Sequence, residues 1–399
     1  MQIKYHALYF PLCSTVAIAA VTPNPYVTES GIEITPFLAV SLEHNDNITN
    51  ERESGNKISS MLLELQPSIH AEVERGKNVY FSRYTLSMGD YLDSSDDNYL
   101  DHELALGGAW NINLRNNVSL DYELNYLHDE RGSGISEGVG NTINGFNEPI
   151  EYLENHIGAK YIYGSEQARG RIEGTVAYYD KSYKNFRNVT QFRDYTENRY
   201  GAAFYYKVAP NTSLLFNIKH DDREYDTITP GQASLDNNAT YYYIGAEWNI
   251  TGKTTGTAKF GLQDKDFSDN NREDFSGTSW DIGIDWSPKK YSTLRLDTLQ
   301  QARDSDQAGD YIEETSYSIS WNHFWRERLS TNLSYTNVDE SYVGITREDD
   351  TDIWGIAAIY DIRRWISITL GWDYSDKTSS QDNIGYEQQI WYLTTTFTL

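Results

Sequence analysis

The sequence predicts an all-β chain: a single antiparallel transmembrane β-barrel of roughly 18 strands, with long extracellular loops and short periplasmic turns. Three observations carry that expectation. From Ile34 onward, segments of about 10–14 residues alternate apolar and polar side chains, the period of a strand with unlike faces. The connections between them alternate short and long, which a sandwich or propeller has no reason to do. The composition favours strands, with 32 Tyr, 13 Phe and 10 Trp against 9 Pro. Mean hydropathy is −0.64, and no apolar run reaches the roughly 20 residues of a spanning helix. In a membrane barrel only alternate residues face lipid, so a low average is expected.

At the N-terminus, Lys4 precedes a short apolar stretch, Ala7 to Ala19, ending in Ala17-Ile18-Ala19. This reads as an export signal over residues 1–19, with cleavage before Ala20. Cys13, the single cysteine, lies inside it. The preceding Phe10-Pro11-Leu12 lacks the small residue of a lipoprotein signal, so the mature chain is expected without cysteine, disulfide or lipid anchor. Such a chain suits passage through an oxidising periplasm. Residues 20–31, with Pro23, Pro25 and no periodicity, read as a periplasmic lead-in, and residues 32–399 as the barrel.

Within the barrel, short turns are expected near 74–78, 113–117, 164–167, 209–212, 251–254, 287–290, 326–328 and 363–364. Long loops are expected near 45–57, 90–98, 129–149, 181–193, 222–237, 264–277, 304–310, 339–350 and 376–386. Lipid faces follow by parity: Leu100, Leu104, Leu106 and Trp110; Val118, Leu120, Tyr122 and Leu124; Trp280, Ile282, Ile284 and Trp286; Trp354, Ile356, Ala358 and Tyr360. Rings at strand ends suit a membrane interface. An even strand count puts both termini in the periplasm. The last strand, residues 390–399, sets Trp391, Leu393, Phe397 and Leu399 on one face and Tyr392, Thr394, Thr396 and Thr398 on the other. It must close against the first strand, because an open edge has no partner in lipid. This ending resembles the C-terminal signal read by the bacterial barrel-assembly machinery, an expected partner, with Leu399 where that signal prefers Phe.

Net charge is −26, which argues against a nucleic-acid partner. The acidity is concentrated in the long loops, where it keeps them soluble or bridges through divalent cations to lipopolysaccharide or polysaccharide. Opposite parity should place Asp121 and Glu123, Arg169, Arg171 and Glu173, Arg199, Lys219 and Asp221, Lys259, Asp281 and Asp285, and Arg295 in the lumen. The basic members (Arg169, Arg171, Arg199, Lys219, Lys259, Arg295) are candidate solute contacts and hint at an anionic or sugar solute. The bland alternative pairs them across neighbouring strands, as Arg295 with Asp281 or Asp285. Charges in the wall imply water inside, since an unpaired charge in a dry interior costs several kcal/mol, and charged rings select solutes.

No enzyme is expected. Gly134-Ile135-Ser136-Glu137-Gly138 matches G-x-S-x-G, but that motif needs a strained strand-to-helix elbow and here lies in a Gly-rich loop. Asp304-x-Asp306-x-x-Gly309 has the start of a Ca²⁺ loop, but Ala308 and Thr315 stand where oxygen ligands are needed. No metal site and no cofactor are expected. His102, His128 and His220 take lipid-side parity near strand ends.

The first strand and its exit, Phe37-Leu38-Ala39-Val40-Ser41-Leu42-Glu43-His44-Asn45-Asp46-Asn47-Ile48, resembles the opening of a family of outer-membrane β-barrel porins found in bacterial loci for capsule and exopolysaccharide synthesis. The resemblance in strand pattern, loop alternation and last strand spans nearly all of the mature chain. It implies location in the outer membrane of a Gram-negative bacterium, among its lipids and lipopolysaccharide. It also implies a porin-like channel linked to polysaccharide export or secretion. The alternative is a non-conducting structural barrel whose acidic external loops bind surface polysaccharide or divalent cations.

Overall fold

The computed structural model describes residues 21, 23–138, 145–165, 167–250 and 252–399; the expected export segment, residues 1–19, lies outside them. A two-residue strand, β1 (Tyr26–Val27), is followed by eighteen long ones. They are β2 (Glu33–Asn45), β3 (Ser60–Arg75), β4 (Asn78–Tyr91), β5 (Tyr99–Asn111), β6 (Asn116–Asp129), β7 (Ile150–Tyr163), β8 (Gly170–Tyr183), β9 (Tyr195–Ala209), β10 (Thr212–Tyr225), β11 (Asn237–Ile250), β12 (Thr254–Phe267), β13 (Phe275–Lys289), β14 (Ser292–Asp304), β15 (Tyr311–Arg326), β16 (Leu329–Tyr342), β17 (Arg347–Arg363), β18 (Ile366–Ser379) and β19 (Tyr386–Thr398). Each pairs antiparallel with its sequence neighbours, and β19 pairs with β2 from Ile390↔Asn45 to Thr398↔Phe37. The ring is therefore closed. Strands of 13–17 residues at about 3.3 Å per residue, tilted as barrel strands are, span a bilayer core of about 30 Å.

The burial pattern is inside-out relative to a soluble sheet. On β19, Trp391 and Leu393 are 53% and 45% exposed, while Tyr392, Thr394 and Thr396 of the opposite parity are 6%, 1% and 9% exposed. Elsewhere Leu106, Leu120, Trp286, Trp354, Ile356 and Tyr360 are likewise exposed, on the parity read from the sequence as lipid-facing. An apolar surface running round a whole barrel far exceeds the few hundred Å² tolerated on a water-soluble monomer. It needs lipid. Polar closure contacts lie inside: the Ser41 and Thr394 hydroxyls are 2.8 Å apart across the β2–β19 seam, and Thr398 Oγ1 donates to the Pro36 carbonyl.

Two segments differ from the expectation. The lead-in is not wholly irregular: β1 folds back on β2 through Gly31 (φ +76°), with Ile32 N donating to Thr28 Oγ1. The loop expected at 339–350 shrinks to four residues, because β16 and β17 run on past the apolar band. Their charged ends read as loop, yet they alternate faces. Arg347 and Asp349 turn inward and are 3% exposed, while Glu348 and Asp350 turn outward.

Candidate functional site: the lumen and its mouth

Which side chains point inward is settled by contacts that skip strands. Arg171 of β8 lies 3.2 Å from Glu247 of β11. Arg223 of β10 lies 2.8 Å from Asp304 of β14, and Lys265 of β12 meets the same Asp304 at 3.0 Å. Side chains can bridge intervening strands in this way only across the concave face of the wall.

Five of the six basic candidates lie on this inner face, and each carries a carboxylate. Arg171 contacts Glu173 (3.1 Å) as well as Glu247. Arg199 is paired with Glu197 and stacks over the Tyr179 ring. Lys219 meets Asp221 at 3.0 Å, and Lys259 is paired with Asp281. Arg295 reaches Asp297 at 2.7 Å and Asp285 at 3.8 Å. The sixth, Arg169, sits apart. It occupies the exposed turn before β8, with its guanidinium 5.4 Å from the ring of Tyr206, a residue of the outer face. Parity fails there because a turn residue belongs to neither face.

The opposite arc of the wall, β2 to β6, carries inward Glu43, Glu64, Glu103, Asp121 and Glu123 against Arg83 and His70. Tyr99 donates to Glu64, and His156 lies 3.5 Å from Asp121 and 3.9 Å from Glu123. Among the described residues, Glu43, Glu103 and Asp373 of nearby β18 form no ion pair or hydrogen bond. The lumen is thus charge-segregated, with one arc neutralised pairwise and the other left negative.

At the extracellular end, residues 130–138 fold over the opening. Glu137 reaches Arg347 of β17 (2.6 Å) and Lys377 of β18 (2.5 Å). Gln307, in the β14–β15 loop, donates to the carbonyls of Ile135 and Glu137, and Asn383, in the β18–β19 loop, donates to that of Gly138. From the β8–β9 loop, Arg193 donates to the carbonyls of Asp306 and Gln307. The base of the infolded loop is fixed by Arg131, which is paired with Asp97; that hydrogen bond holds the guanidinium above its ordinary pKa. Beside it Ile135, Phe146, Ile150 and Tyr183 form a small apolar core. Sequence reading missed Glu137, Arg347 and Lys377. Inward parity on β17 and β18 marks the last two once the strand ends are placed; nothing local marks Glu137.

The sequence motifs set aside as chemistry have structural partners. Ser136 is 4% exposed, and its hydroxyl donates to the Ser133 carbonyl within a 3₁₀ turn. Asp304 accepts from Lys265 and is paired with Arg223. His102 meets Tyr84, His220 meets Thr240, and His128 lies 3.0 Å from Asp101 and stacks on Tyr99.

The family model described as "Putative beta-barrel porin 2" matches residues 33–399. The chain belongs to this family. Membership in Putative beta-barrel porin 2 agrees with the closed ring of eighteen strands and with the resemblance drawn from the first strand; the capsule-locus association is no part of the match. Among solved structures, the fold is similar to a BenF-like porin from Pseudomonas fluorescens (11% identity, TM-score 0.51, 94% of this chain and 100% of that one). It is also similar to OpdO of Pseudomonas aeruginosa (11% identity, TM-score 0.51, 93% and 97%). The chain spans 63% of the FrpB iron transporter from Neisseria meningitidis (10% identity, TM-score 0.48, 88% of this chain). No curated protein matches it.

Proposed function

We propose that this porin-family barrel is a passive channel of a Gram-negative outer membrane for small hydrophilic solutes, and that it favours cations over anions. One observation carries the reading: from β8 to β14 Arg171, Arg199, Lys219, Lys259 and Arg295 each hold a carboxylate, whereas Glu43, Glu103 and Asp373 form no ion pair among the described residues, and Arg83 acts on Glu103 only at longer range. Paired charges cancel at the distance of a permeating ion. Bare carboxylates on a low-dielectric wall focus a negative potential along the water they face. This reverses the anionic solute suggested by counting basic residues alone.

Export of capsular or exopolysaccharide is the narrower version of the channel, supported by the resemblance of the first strand. A sugar polymer would use open ring faces. Tyr241 and Tyr243 are only 7% exposed, with Lys219 4.7 Å and Lys259 5.7 Å from their respective ring centres. They offer no such face, so small solutes fit better. The infolded loop favours a second reading, a closed scaffold that conducts nothing. Reversal potentials of the refolded protein across a salt gradient separate these: cation-selective openings support the proposal, and silence from a folded, heat-modifiable barrel supports the scaffold.

A further inference from the structure

We infer that Glu137 is a releasable latch: its carboxylate, docked on Arg347 and Lys377, holds residues 132–138 across the mouth, and its undocking opens the channel. The inference rests on the channel reading above. Reach is the first argument. Glu137 leaves the wall between β6 and β7 and lands on β17 and β18, which lie six to eight places away round a ring of eighteen, almost diametrically across. A contact of that span crosses the opening rather than lining it.

Separability is the second. Arg347 is also paired with Asp349, and Lys377 lies 3.0 Å from Asp349 and 3.7 Å from Glu340. Glu340 is shared with Arg303, which has Glu314 at 2.5 Å. Undocking Glu137 therefore leaves no cation of the wall without a carboxylate. It removes one negative charge from a cluster in which carboxylates outnumber cations. Losing a sole partner would strand a buried charge; here the wall is complete without the latch.

Mobility is the third. Gly132 (φ +82°) and Gly138 (φ +67°) bracket the segment in the left-handed region, where glycine alone is unstrained. A Cβ on Gly132 would lie 1.9 Å from the Thr49 carbonyl oxygen, so the near hinge requires glycine. Between the hinges the segment's polar ties to other elements run to Gln307, Asn383 and the two cations, and these can exchange with water; its apolar tie is Ile135, which packs with Phe146, Ile150 and Tyr183 two residues before Glu137.

The test is single-channel recording of the refolded mature chain and its E137Q and K377Q variants in a planar bilayer, with heat-modifiable mobility to show that each is folded. E137Q removes the latch charge at constant size, and K377Q weakens the same contact from the wall. Each variant should raise the fraction of time in the fully open level at least about tenfold over the parent. Equal open fractions in parent and variants, with channels present, would overturn the latch and leave the channel reading intact. Silence of all three would remove the channel reading and the latch with it.

Discussion

The two arcs of the lumen wall contain the same residue types in different company. From β8 to β14, Arg171, Arg199, Lys219, Lys259 and Arg295 each hold a carboxylate, and several rest on a tyrosine ring. From β2 to β6, together with Asp373 of β18, the carboxylates have few cations to meet. The difference teaches that a pore's field follows its unpaired charges and not its composition. On the proposed reading the paired arc is a structural wall and the negative arc faces the permeating ion. The first arc should be sensitive to mutation in stability, and the second in selectivity.

The largest effect is expected where the paired arc is driest. Asp304 serves both Lys265, whose side chain is 3% exposed, and Arg223, at 14%. Asp304→Ala leaves two enclosed cations short of a partner and should destabilise the barrel by roughly 3–5 kcal/mol, read as a lowered urea midpoint for loss of the heat-resistant form. A midpoint unchanged from the parent would show that the pairs are hydrated and not structural.

Next comes the negative arc. Glu43→Gln with Glu103→Gln should leave stability within about 0.5 kcal/mol, or raise it, because like charges are removed and no ion pair is broken. The same double variant should cut the cation-to-anion permeability ratio several-fold. An unaltered reversal potential would place the ion path elsewhere.

Smaller changes are expected from Arg295→Gln. Its side chain is 44% exposed, so loss of its pairs with Asp297 and Asp285 should cost about 1 kcal/mol or less. It should move selectivity further toward cations by freeing those two carboxylates. The smallest effect belongs to Arg169→Gln. From the exposed turn outside the wall, it should change neither the reversal potential nor the unfolding midpoint; a clear shift in either would mean that its position by Tyr206 understates its reach.

The barrel itself was readable because lipid imposes a period of two that runs unbroken through strands such as 354–362, where Trp354, Ile356 and Tyr360 face out. Inward parity likewise located Arg171, Arg199, Lys219, Lys259 and Arg295. Their pairing was only partly readable. Arg295 with Asp285 is a directly opposed cross-strand pair and was foreseen, but Arg171 with Glu247 and Arg223 with Asp304 depend on how the wall curves. The mouth was least readable. Glu137 contacts residues more than 200 positions away, and the ends of β16 and β17 read as loop because charged residues dominate them.

The central claim is a water-filled, cation-favouring lumen. Its most direct test is the reversal potential of the folded wild-type protein in a planar bilayer under a tenfold KCl gradient. The account predicts discrete openings whose reversal potential has the sign of K⁺ selectivity. Openings selective for Cl⁻ would contradict the charge-segregated lumen, and a folded barrel that never opens would contradict the channel itself.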